Sequence, residues 1–101
     1  MEKRLKLDTI LRGVDGNVHV YFQPPEGTSM DYPAIVYSRS RTRDMRADNI
    51  RYVGYDAYQI IVIDTDPDSV IISKIKDLPY CSWDRHYKSD NLNHDSFIIY
   101  I

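Results

Sequence analysis

Apolar residues recur along the chain with two periods, and the switches between them mark the elements. Leu7, Ile10, Leu11 and Val14 fall at i, i+3, i+4 and i+7. That spacing predicts one apolar stripe on a short amphipathic helix, with Gly13 and Gly16 as stop signals. Val18, Val20 and Phe22 then alternate with His19 and Tyr21, the pattern of a strand with one buried face. Pro24-Pro25-Glu26-Gly27 ends that strand, because proline cannot donate a ladder hydrogen bond, and residues 23–32 read as a loop. A second strand starts near Pro33 with Ala34-Ile35-Val36-Tyr37-Ser38-Arg39 and runs on into a polar stretch. A third covers roughly Tyr55 to Asp64. Its centre, Ile60-Ile61-Val62-Ile63, is apolar on both faces, which predicts a central position with cover on both sides. Asp44 to Gly54 joins the two as a long hairpin or protruding arm.

The next helix has punctuation at both ends. Asp66 reads as the N-cap, Pro67 as the first helical residue, and Asp68 favours the positive helix end. Ile71, Ile75 and Leu78 form the stripe, Lys74 and Lys76 suit the negative end, and Pro79 stops the helix. Cys81 to Arg85 reads as a short extended piece, followed by a polar loop. Phe97-Ile98-Ile99-Tyr100-Ile101 reads as a last strand. The order α-β-β-β-α-β-β predicts an α+β domain: an antiparallel sheet of about four or five strands with two helices. The 101 residues fit one domain spanning the whole chain.

Composition changes this picture in one respect. Nine tyrosines stand against two phenylalanines and one tryptophan. Tyrosine joins an apolar ring to a polar tip, which suits surfaces buried on assembly as well as half-buried strand positions. The net charge of -2 argues against a general nucleic-acid binder. A single cysteine, Cys81, rules out an intrachain disulfide. The N-terminal residues lack the apolar centre of a signal peptide, and the longest apolar run, residues 60–63, is too short to span a bilayer. These features predict a soluble protein made in the cytosol, with no membrane partner.

Two clusters are candidates for chemistry. Arg39, Arg41, Arg43, Arg46 and Arg51 are five of the eight arginines, gathered within thirteen residues. On a continuing strand Arg39, Arg41 and Arg43 share a face, a basic ribbon aimed at a polyanion or at acidic residues of a neighbouring subunit. A solvated arm with Asp44 and Asp48 as counter-charges accounts for them equally well. The second cluster is Asp84-Arg85-His86, Asp90 and His94-Asp95. Mixed imidazoles and carboxylates suit metal binding or acid–base work. Their spacing matches no metal signature, and a polar loop with side chains capping turns is the favoured reading. No glycine-rich phosphate loop or nucleophile elbow is present, and the residues imply no cofactor.

Several runs of residues resemble the tail terminator (tail completion) proteins of tailed phages. They are Tyr21-Phe22-Gln23-Pro24-Pro25-Glu26-Gly27, Tyr32-Pro33-Ala34-Ile35-Val36-Tyr37, and Tyr58 to Asp64 followed by Asp66-Pro67-Asp68-Ser69. Leu78 to Arg85 and Asp90 to Asp95 complete the set, so the resemblance covers nearly all the chain after the first helix. It implies a compact α+β subunit of a ring, commonly hexameric, on the end of the tail tube. Such a ring stops tube polymerisation and docks to the head connector, without catalysis or cofactor. Its implied partners are copies of itself, the tail tube protein, the head connector or adaptor, and the genome DNA that passes through the lumen without sequence-specific binding. Its place is the virion neck, assembled in the host cytoplasm. A cyclic ring needs two different patches on each subunit, rich in Tyr and Arg. Arg39, Arg41, Arg43, Arg46, Arg51, Tyr52 and Tyr55 are therefore the candidate subunit-interface or lumen residues. Another neck or head–tail joining role, a small DNA-binding protein using the arginine arm, and a metal enzyme built on His86 and His94 are the competing readings.

Overall fold

The computed structural model describes residues 2–40 and 56–101. The predicted arm over Asp44–Gly54, and with it Arg41, Arg43, Arg46, Arg51, Tyr52 and Tyr55, lies outside the described residues. The elements are α1 (Glu2–Arg12), β1 (His19–Phe22), β2 (Ala34–Arg39), β3 (Ala57–Asp64), α2 (Val70–Lys76), β4 (Cys81–Ser89) and β5 (Leu92–Tyr100). The order is the predicted α-β-β-β-α-β-β, and the fold is α+β with a five-stranded, mostly antiparallel sheet.

The strands lie in the order β1-β2-β3-β5-β4, so β3 is central, as its apolar run predicts. β5 enters between β3 and β4, and α2 carries the chain across it. One pair departs from the antiparallel expectation: β1 runs parallel to β2, with Val20 beside Ile35 and Phe22 beside Tyr37. Residues 23–33 bring the chain back to the end where β1 started. Gln23 (φ 42°) and Gly27 (φ 83°) turn it there, Gly27 without the steric cost a side chain would meet.

Alternation decides what each strand buries. Val20, Ile35, Tyr37, Tyr58, Ile60, Val62, Phe97 and Ile99 share one face and pack with Leu7 and Leu11 of α1 and Ile71 and Ile75 of α2. Both helices therefore cover the same face. Among the described residues no helix lies on the other face of β3. Ile61, on the other face, is only half-buried, although Ile63 and Ala34 are closed off.

The first helix begins five residues earlier than its stripe suggests, because Lys3, Arg4, Leu5 and Lys6 are good helix formers. It ends at Arg12, and Val14 packs on the core from outside the helix. The N-cap of α2 is Ser69, not Asp66: the Ser69 hydroxyl accepts the Ile71 N–H at 3.3 Å. The Asp64 and Asp66 carboxylates instead accept the N–H groups of Asp66 and Asp68, at 3.2 and 2.9 Å. Such bonds two residues ahead hold a turn rather than a helix.

A polar network ties α1 to the sheet. The hydroxyl of fully buried Tyr37 donates to Asp8 Oδ2 at 2.5 Å, and Arg4 Nη1 donates to that hydroxyl at 3.4 Å. Arg12 Nε donates to the other Asp8 oxygen at 2.5 Å. Arg4 also lies over the Phe22 ring, 4.6 Å from its centroid. Burial by itself pushes the Asp8 carboxyl up, but the bonds from Arg12 and Tyr37 and the charges of Arg12 and Arg4 outweigh it and hold it below 3.8. Burial, and then the bond to Asp8, push Tyr37 up from 10.0 to about 12.

The two groups act at opposite ends of the pH scale. Asp8 has a depressed folded value, so its contribution is complete above 3.8 and is lost as pH falls through the folded value. Tyr37 has a raised one, so its contribution is complete below 10.0 and is lost as pH rises towards about 12. Replacing Tyr37 with Phe is expected to destabilise the fold by about 1–3 kcal/mol at pH 7, since Asp8 loses a buried donor. In urea unfolding of both proteins, that gap should narrow as the pH rises through the tyrosine range.

Candidate functional site

The chemistry-bearing residues of the described chain gather on β4 and β5. Where a polar loop was expected after Arg85, the structure has a hairpin of two nine-residue strands, and the predicted last strand is only its second half. Asp90 and Asn91 form its two-residue turn with φ of 53° and 64°. Positive φ at both positions is the turn whose twist matches paired strands, and Asp and Asn tolerate it. The Asn93 amide donates to the Thr65 carbonyl at 3.2 Å, which ties the hairpin to the turn before α2.

A bulge at Asp84 sets what the hairpin presents. Trp83 pairs with Phe97, yet Arg85 pairs with Ser96, so the register shifts by one. Trp83 and His86 are three apart and would point to opposite faces of a regular strand. The shift puts both on the helix side, where they meet Asp95. The Trp83 indole N–H donates to Asp95 Oδ2 at 3.1 Å, and His86 Nδ1 lies 2.8 Å from Asp95 Oδ1. Asp95 is buried, Trp83 is 49% exposed, and the His86 side chain is 40% exposed. A carboxylate only accepts, so neutral His86 carries its proton on Nδ1 and turns Nε2 outward as an acceptor.

On the opposite face Tyr87 stacks on His94, with ring centroids 4.7 Å apart, and the Arg85 guanidinium lies 5.7 Å from the Tyr87 centroid. Beside them Gln59 donates to the Ser96 hydroxyl at 3.1 Å, and that hydroxyl donates to Asp84 at 3.4 Å. The sheet thus separates His86 and Asp95 from His94. Among the described residues no group of three or more His, Cys, Asp or Glu is placed to hold a metal ion. The Cys81 thiol is pushed up to about 11 by burial, which keeps it protonated at neutral pH and a poor nucleophile for an Asp95–His86 pair.

Arg39 is the one predicted interface residue among those described. It is exposed at the end of β2, opposite Tyr58 in register, and its N–H donates to Gln23 Oε1 at 3.2 Å. The structure adds a surface that the motifs did not indicate. Val36, Ile61, Ile98 and Tyr100 lie on the helix-free face of β2, β3 and β5, all half-buried. Alternation along each strand already carried that signal, since apolar residues occupy both faces of β3 and β5. No helix among the described residues is long and apolar enough to cross a membrane.

Replacing Asn91 with Val is expected to destabilise the protein by about 1–2 kcal/mol, because a β-branched residue resists the left-handed region. Replacing it with Gly should be neutral or stabilising. Thermal unfolding of both variants checks the pair.

No family model, curated protein or solved structure matches this chain.

Proposed function

We propose that this protein is a structural subunit of a phage neck, which forms a ring at the head-proximal end of the tail tube. The ring stops tube polymerisation and docks to the head connector. The sequence runs that resemble tail terminators carry the identity of the assembly. The observation that supports an assembling role is the helix-free sheet face, where Val36, Ile61, Ile98 and Tyr100 remain partly open to water. Patches of this kind, rimmed by polar residues, mark surfaces that a partner covers. On the same face Ser38 pairs with Gln59, Gln59 with Ile98, and the buried Ser96 with Ile61. The exposed aromatic residues Trp83, Tyr80 and Tyr87 are of the types enriched at interfaces. The candidate partners are a neighbouring copy, the tube protein and the connector, with exposed Arg39 a candidate contact.

The solution mass, measured by light scattering over a wide concentration range with electron microscopy of any oligomer, tests the reading. A closed ring is expected, and purified tail tubes should be capped at their ends. A monomer at every concentration that leaves tubes uncapped would overturn it. Replacing Ile98 with Lys should abolish assembly while the circular dichroism of the monomer stays unchanged, because the site is half-buried and outside the helix-packed core. The triple change Arg39→Glu, Arg41→Glu and Arg43→Glu should likewise block assembly of a folded monomer. Normal assembly of that variant would make the arginines a solvated surface.

A further inference from the structure

The buried Asp95 carboxylate holds two side-chain donors of different kinds. One is the indole N–H of Trp83, which never titrates, and the other is the imidazole of His86. Histidine is the side chain whose charge ordinarily changes near neutral pH. The two bonds end on different oxygens of a single carboxylate, so its negative charge is shared between them. When His86 is neutral, the carboxylate is fully available to the indole. When His86 is charged, the imidazolium draws that charge to itself through a stronger, charge-assisted bond, and the bond to Trp83 weakens.

We propose that Asp95 couples the charge of His86 to the seat of Trp83, which makes the exposed β4 edge a proton-sensitive surface. The proposal is independent of the ring reading. Trp83 is about half exposed, so a change in how firmly its ring is held alters what a neighbouring molecule meets there. Asp84 and Arg85 face the other side of the sheet and lie 3.8 Å from one another. On the helix side of β4, Lys88 is two residues along from His86, and Asn93 of β5 is neutral. On α2, which packs against β4, Lys74 pairs with Asp15 at 3.7 Å, and Lys76 and Asp77 follow it.

Trp83 is the only tryptophan in the chain, so its emission reports on this contact alone. The full-length protein should show one emission transition when its histidines change charge. His86→Gln keeps a side-chain donor but cannot titrate, and it should abolish the transition. His19→Gln and His94→Gln should leave it intact, and the chain holds no other histidine. Asp95→Asn should break the coupling: the His86 ring protons still shift with pH by nuclear magnetic resonance, while the emission stays flat. A flat wild-type emission, a transition that survives His86→Gln, or one that persists in folded Asp95→Asn would each overturn the proposal. Should Asp95→Asn fail to fold, the His86→Gln measurement decides alone.

Discussion

Among the described residues helices cover one face of the sheet and leave the other without a helical layer. That constraint organises this protein. Leu7 and Leu11 of α1 and Ile71 and Ile75 of α2 close one side, and β1, β2, β3 and β5 contribute their apolar alternate positions to them. The Tyr37–Asp8 bond then fixes α1 in place, at the point where β2 is most deeply covered. The opposite side has no such layer among the described residues, and its apolar residues sit where an assembled neighbour would complete the burial. The proposed ring is one assembly that would cover it.

The elements with a clear apolar period were legible in the sequence. The stripes of α1 and α2, the run of β2 and the central place of β3 all follow from spacing alone. The N-cap of α2 was misjudged because Asp66, Asp68 and Ser69 are all good capping residues, and only the local bonding chooses among them. The hairpin was hidden for a different reason. Between Ser82 and Asp95 the chain is almost wholly polar, so no apolar alternation marks the strands. Its signal was the turn dipeptide Asp90-Asn91, which tolerates two consecutive residues at positive φ. The Trp83–Asp95–His86 contact was beyond reach, because one bulged residue reverses the facing of everything after it.

Each outer strand carries features that discourage further pairing. β1 is four residues long, and Arg12 Nη2 donates to the Val20 carbonyl at 3.4 Å. β4 is longer, but it is bulged at Asp84 and bears Asp84, Arg85 and Lys88. Short strands, bulges and charges are the usual means by which a sheet avoids stacking edge to edge with its copies. Association through the sheet face or through side chains therefore fits this molecule better than strand addition.

The strand order carries a consequence for how the chain comes into being. β5 is the last of the seven described elements in sequence, yet it lies between β3 and β4. During synthesis β3 and β4 leave the ribosome with their shared partner still unmade. Until β5 emerges, β3 exposes an unpaired inner edge, and Phe97 and Ile99 are missing from the core. Pairing across so long a stretch of sequence is slow to form and cooperative when it does. The growing chain is thus kept from a finished sheet until β5 has emerged.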